Sequence, residues 1–354
     1  MEYLGKKIYK DTAEDGKGYR ERYADSVTRY VRRCFEEAEA LRDERVSPEK
    51  MAALREEFRA EYRKMLGIAY DASLPLPHVT REHLGMDEFC KIDRLTVETM
   101  DDFYFYGILM TPLSAKGKTP LCICQHGGGG SPEFAGGMLG ENNYASFMQR
   151  ALLRGCTVFA PQLMVWGYGG NTGENKPDFA VPYDRLNRDA DLRQVGKSMT
   201  GLEIFCIMRC LDYLFSLPEI DGERVGMTGL SYGGYFSLYT AAADPRIKTA
   251  YSAAAFNGRS RVCFADWAYY NAANSFHDAE VAGLCAPRRL FVDVGRQDFV
   301  FDCRPSVPEA ERAQRFFDAA GVPDAFSYHL WDGEHRFDAD GGRLDEFFDA
   351  LLNG

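Results

Sequence analysis

No stretch of the chain approaches the ~18 uninterrupted apolar residues a membrane-crossing helix needs, and the opening MEYLGKKIYKDTAEDGKGYRERY is charged throughout. Neither a transmembrane span nor a secretory signal is expected, and the expected address is cytoplasmic. Positive charge is also in short supply. Against 53 Asp and Glu stand 42 Lys and Arg, a net charge of −11, with no basic run that could track a phosphate backbone. Nucleic acid and membrane surfaces are therefore not expected partners. The ten cysteines form no C-x-x-C pair and no Cys/His group with zinc spacing. They sit in apolar runs such as PLCICQ and EIFCIMRC and read as reduced core residues, so neither a metal nor an organic cofactor is expected. Internal repeats and low-complexity tracts are missing too.

What is present is an alternation of two periodicities. Residues 19 to 66 carry apolar positions at helical spacing, Val27, Tyr30, Val31, Cys34, Phe35, Ala38 and Leu41 in one helix and Met51, Leu54, Phe58, Tyr62 and Met65 in a second. Ser47-Pro48-Glu49 supplies the cap, the first-turn proline and the early carboxylate of that second helix. Each helix has a single apolar stripe, which needs the main domain or a second subunit to lie against, so a homodimer through these helices is expected. After a linker at 73 to 79, the segments DEFCKIDRLTVET and FYFYGILMTPL read as an antiparallel hairpin at a sheet edge. Helix and strand patterns then alternate to the end of the chain, the signature of a mostly parallel α/β sheet covered on both faces. The organisation expected is a helical N-terminal extension over 1–86 and a catalytic domain over 87–354. Segments 161 to 200 and 255 to 284 follow strand ends and are too irregular to assign.

The chemistry centres on VGMTGLSYGGY (225 to 235), an apolar strand, a G-x-S-x-G turn and an apolar helix. A serine at such a strained strand-to-helix turn is exposed for attack, and the flanking glycines Gly229 and Gly233 let the backbone pass close by. Serine is a poor nucleophile unless an imidazole takes its proton, and six histidines are available. His335, in a loop after the last strand, stands where the order Ser, acid, His requires it. For the acid, RRLFVDVGRQDFVF offers Asp293 inside the strand, Asp298 after a short turn and Asp302 beyond it. Asp298 is the choice and Asp302 the reserve. Oxyanion donors are expected from the Tyr232 amide and from the HGGGG loop (126 to 130), at Gly128. Without a following Gly-Lys-Ser/Thr, that loop does not read as a nucleotide cradle. Trp166, Trp267 and Tyr270 are the candidate substrate contacts, and for these a packing role is the competing reading.

The ordered set HGGGG, LDYLFSLPEIDGERVGMTGLSYGG, ADPRIKTAYSAA, APRRLFVDVGRQD and AAGVPDAFSYHLWDGEHRF resembles the α/β-hydrolase superfamily, in its branch similar to bacterial acetyl xylan esterases and dienelactone hydrolases. The resemblance spans roughly residues 120 to 352, covers 1 to 86 only loosely and does not account for 255 to 284. It implies an α/β-hydrolase fold and Ser231, Asp298 and His335 as nucleophile, acid and base. The expected function is hydrolysis of carboxylic esters of small molecules or carbohydrates through an acyl-enzyme. One rival is a peptidase similar to the prolyl oligopeptidase catalytic domain. Such enzymes carry a propeller-type gate, which 86 helical residues do not supply. The other is a silent binding module, expected to have lost a triad member.

Overall fold

The computed structural model describes residues 14–140, 142–164 and 185–353. Its N-terminal part is helical, in three helices: α1 (Lys17–Arg45), α2 (Pro48–Ala53) and α3 (Arg55–Leu66). Ser47 caps α2 as expected, its Oγ accepting from the Lys50 amide at 3.3 Å with Pro48 in the first turn. The second helical stripe is divided at Leu54, which leaves the helical region (φ −122°, ψ 28°) and ends α2 before α3 begins.

The helices end at Leu66, where the helical spacing over 19 to 66 ends, and residues 67 to 86 of the expected N-terminal extension are not helical. Residues His78–Met86 form β1, which pairs antiparallel with β2 (Cys90–Met100). The edge of the sheet is therefore β1, and the expected hairpin of β2 and β3 (Phe103–Pro112) lies one strand further in. The strand was hard to read because its burial is shallow and it carries charges on both faces.

The remaining elements follow the expected alternation. They are β4 (Thr119–Gln125), α4 (Pro132–Ala135), α5 (Phe147–Leu153), β5 (Thr157–Pro161), α6 (Arg185–Gln194) and α7 (Met199–Ser216). Then come β6 (Ile220–Leu230), α8 (Tyr232–Ala243), β7 (Thr249–Ala253), α9 (Asp278–Cys285) and β8 (Arg289–Gly295). The last three are α10 (Ser306–Ala319), β9 (Phe326–Trp331) and α11 (Arg343–Asn353).

Nine strands form one sheet in the order β1-β2-β3-β5-β4-β6-β7-β8-β9. From β5 to β9 every neighbouring pair is parallel. One apolar layer joins the sheet to α3, α7, α8, α9 and α10, and a second joins it to α5 and α11. With both faces covered, β4 is buried along all seven residues, which is why it reads as a continuous apolar run. β4 lies between β5 and β6, so the winding direction reverses there, and the loops after β4 and β6 flank the crevice where such sheets bind ligands.

α3 is firmly docked. Arg59 donates to the carbonyls of Ala242 and Leu284, Arg63 to that of Ala243 at 2.8 Å, and the Tyr62 hydroxyl to that of Tyr239 at 3.1 Å. Cationic side chains thus satisfy the last carbonyls of α8, the negative end of its dipole. α1 behaves differently. Ala38 and Arg42 are its buried residues, while every position from Lys17 to Cys34 is exposed. Among the described residues no helix is long and apolar enough to cross a membrane.

Candidate active site

β6 runs into Ser231, which adopts φ 61°, ψ −121°, and α8 starts at the next residue. A non-glycine residue in this region is strained by about 1–3 kcal/mol and persists only where its surroundings hold it. Here the Ser231 amide donates to the Ala253 carbonyl at 2.9 Å, and its own carbonyl accepts from the Tyr235 amide at 2.9 Å. Packing explains the flanking glycines. A Cβ on Gly233 would stand 2.2 Å from the Gln125 carbonyl oxygen, and one on Gly229 2.5 Å from the backbone of Gly233. The elbow is pressed against the end of β4 so closely that no side chain fits between them.

The loop leaving β4 is held by its own histidine. His126 is fully buried, with Nδ1 donating to the Gly127 carbonyl at 2.8 Å and Nε2 accepting from the Leu163 amide at 2.9 Å. Burial pushes this imidazole down to about 4, so it is neutral and fixed in one tautomer. The Gly127 amide is taken by the Tyr144 hydroxyl at 2.6 Å, whereas Gly128 is exposed. A Cβ at Gly127 would lie 3.3 Å from that of Ser231, which puts the loop beside the serine.

The loops after β8 and β9 are joined by hydrogen bonds. Arg296 N donates to the Trp331 carbonyl at 2.8 Å and Gln297 N to that of Gly333 at 2.9 Å. Asp298 then turns back on itself, its Oδ1 accepting from the amides of Val300 (2.8 Å) and Phe301 (2.9 Å). Its Oδ2 is left for His335, whose Nδ1 donates to it at 2.8 Å. Both side chains are largely buried, and the His335 ring packs against those of Phe299 and Phe301. With Nδ1 donating, Nε2 is left as the acceptor.

Of the three aspartates considered from sequence, it is Asp298 that meets His335. Asp293 accepts from the Tyr251 hydroxyl at 2.5 Å and faces Arg343 at 3.4 Å, and burial raises its pKa. Asp302 pairs with its neighbour Arg304 at 2.9 Å. Asp293, His329 and Asp338 bring one ligand atom each within 4.8 Å of one another. The Arg343 guanidinium already supplies Asp293 with the positive charge that a cation would bring.

The segment 255 to 284 covers α8. Trp267 stacks on Tyr235 with ring centroids 4.1 Å apart, edges against Tyr232, and lies under the Arg259 guanidinium. At 2% exposure it has no surface to offer a bound molecule, so this expected substrate contact is a packing residue. Phe301 touches Phe264, Trp267 and His335, which ties this aromatic layer to the histidine loop. Tyr270 is 93% exposed. It borders a cavity of about 930 Å³ with Arg45, Lys64 and Lys197, whose lining includes none of Ser231, Asp298 and His335. Trp166 lies outside the described residues.

A buried ionic group was missed from sequence. Arg185 of α6 donates to Asp266 (2.6 Å) and Glu203 (2.8 Å), and Asp266 also accepts from the Tyr232 hydroxyl at 3.0 Å. Burial works against the Arg185 charge, but the two carboxylates more than offset it and hold the guanidinium above its ordinary range. The residue after the serine is thereby fixed by three separate parts of the chain. Nothing in local spacing marks these residues; the signal available was that both unassigned segments follow strand ends.

Comparison with known proteins bears on the fold. A glucuronoyl esterase from Solibacter usitatus superposes with a TM-score of 0.60 at 16% identity, over 84% of this chain and 91% of that one. This is an α/β-hydrolase fold. No family model matches the chain. Among curated proteins, YtaP of Bacillus subtilis (strain 168), named as a hydrolase, is 28% identical over 141 residues, 39% of this chain and 44% of its own length. The acetyl esterase Axe7A of Xylanibacter ruminicola is 27% identical over 172 residues, 44% of this chain and 36% of its own. The chain thus spans less than half the length of these curated relatives.

Proposed function

We propose that the protein is a serine carboxylic-ester hydrolase in which Ser231 attacks the ester carbonyl. His335 Nε2 takes the serine proton and returns it to the leaving alcohol, while Asp298 fixes the tautomer and stabilises the imidazolium. Water then enters by the same route and releases the acid. The amides of Tyr232 and Gly128 hold the oxyanion, each worth about 3 kcal/mol in the transition state. Gly128 is preferred to Gly127 because the Tyr144 hydroxyl already engages the Gly127 amide.

The observation that carries this reading is the 2.8 Å bond from His335 to a buried Asp298, on an α/β-hydrolase fold whose elbow serine has φ 61°. Likeness to proteins named acetyl esterase and glucuronoyl esterase supports short-chain or carbohydrate esters as the substrate class. All ten cysteines are free, Cys122 and Cys124 among them with sulfurs 3.6 Å apart, which supports a reducing, cytoplasmic address. Turnover of short-chain aryl acetates tests the proposal. Wild type should hydrolyse them and Ser231→Ala should be slower by about 10⁴–10⁶-fold; equal turnover by the two proteins would overturn it.

A further inference from the structure

The two oxyanion donors of the esterase reading belong to separate segments. Tyr232 opens α8, and Gly128 lies in the glycine loop after β4. Four successive glycines have no side chains with which to fix that loop, so its position depends on contacts from neighbouring segments. One set of contacts runs through the two residues Leu163 and Met164, just past the end of β5. The Leu163 amide donates to His126 Nε2 at 2.9 Å, and His126 Nδ1 donates to the Gly127 carbonyl at 2.8 Å. Met164 continues the path, its amide donating to Glu203 of α7 at 2.6 Å and its carbonyl accepting from Arg185 at 2.9 Å. Arg185 donates in turn to Asp266 at 2.6 Å, and Asp266 accepts from the Tyr232 hydroxyl at 3.0 Å. An unbroken path of hydrogen bonds therefore joins the glycine loop to the residue after the serine.

We propose that Leu163 and Met164 form a strut that sets the spacing of the two oxyanion donors, with His126, Arg185, Glu203 and Asp266 as its positioning residues. The proposal rests on the esterase reading. Stability alone does not account for the ionic part of the path. Arg185, Glu203 and Asp266 are each at most 4% exposed, and a buried ionic group is seldom more stabilising than apolar side chains of the same volume. What such a group supplies is direction, since charge-assisted hydrogen bonds are short and hold one geometry. Direction matters at this place. An oxyanion needs its donors at about 2.7–3.1 Å, and a misplacement of about 1 Å can cost about 100-fold in rate.

Two substitutions cut the path at its ends without leaving a charge unpaired. Tyr232→Phe removes the hydroxyl, while Asp266 keeps Arg185. His126→Asn retains a donor near the Nδ1 position and is too short to reach the Leu163 amide. Aryl acetate turnover is read beside the inhibition constant of an aryl trifluoromethyl ketone. Ser231 Oγ bonds to the ketone carbon, the C=O π pair becomes an alkoxide in the oxyanion hole, and the serine proton passes to His335. Each variant should lose about tenfold in kcat/KM with KM within about twofold of wild type, and the ketone's inhibition constant should rise by the same factor. Because both cuts disable one strut, the double variant should lie within about threefold of either single. Circular dichroism at the assay temperature checks folding, and Glu203→Gln, which cuts the path at its centre, replaces a variant that does not fold. Single variants within about twofold of wild type, or a double variant with the roughly hundredfold product of the single losses, would overturn the strut and leave the esterase reading intact. A wild type no faster than Ser231→Ala would instead overturn that reading, and the strut with it.

Discussion

The loops after β4 and β6 and the loops after β8 and β9 hold the two halves of the candidate site by different means. At the elbow the constraint is steric. Gly229, Gly233 and the end of β4 are in backbone contact, and Ser231 is held at an unfavourable φ by that packing. At the other pair the constraint is a chain of hydrogen bonds, from Arg296 and Gln297 across to the β9 loop and from Val300 and Phe301 into the Asp298 carboxylate. The first arrangement tolerates no added atom. The second tolerates shape changes but requires the right donors and acceptors, and single substitutions can separate the two.

Within the hydrogen-bonded pair of loops, the largest effect is expected at Asp298. Asp298→Asn keeps the shape and the turn, but its amide can present an N–H to His335 Nδ1 and favour the wrong imidazole tautomer. Ester turnover should fall by about 10⁴-fold with the thermal midpoint nearly unchanged. An equal loss of stability would place the effect in folding instead. Gly233→Ala should instead lower stability. Its Cβ meets the Gln125 carbonyl oxygen at 2.2 Å, so the elbow or β4 must shift, at about 1–3 kcal/mol by urea denaturation. Wild-type stability in this variant would remove the steric account of the elbow.

A third effect, spread over a range of pH, concerns His126, on the steric side. Its imidazole is held neutral at about 4 against an ordinary 6.5, so between these pH values the unfolded chain binds a proton that the fold does not. Stability should therefore fall as the pH drops from 6.5 to 4, by up to about 1.4 kcal/mol per unit from this residue. His277, which burial pushes down to about 3, contributes in the same direction. His126→Gln should flatten the slope measured by urea unfolding at several pH values, and an unaltered slope would show that the His126 ring titrates freely.

The same contrast explains what was legible in the sequence. Steric constraints leave glycines at fixed offsets from the serine, and a strand buried on both faces leaves an apolar run, so the elbow and β4 were plain. Asp298 and His335 could be found because each follows a readable strand by a short loop. Hydrogen-bonded and ionic partners leave no such trace: Tyr144 reaches the Gly127 amide, and Arg185 reaches Glu203 and Asp266, only in the folded chain. β1 was missed because an edge strand with shallow burial lacks a clear alternation. Trp267 read as a ligand contact because a sequence does not distinguish an aromatic that packs on α8 from one that faces a pocket.

The central claim is that Ser231 is a nucleophile activated by His335. Intact-protein mass spectrometry after exposure to a fluorophosphonate tests it most directly. The account predicts one adduct per chain, mapped to Ser231, absent in Ser231→Ala and formed at least a hundredfold more slowly in His335→Gln. Labelling of Ser231 at the same rate in His335→Gln, or an adduct that persists in Ser231→Ala, would contradict it.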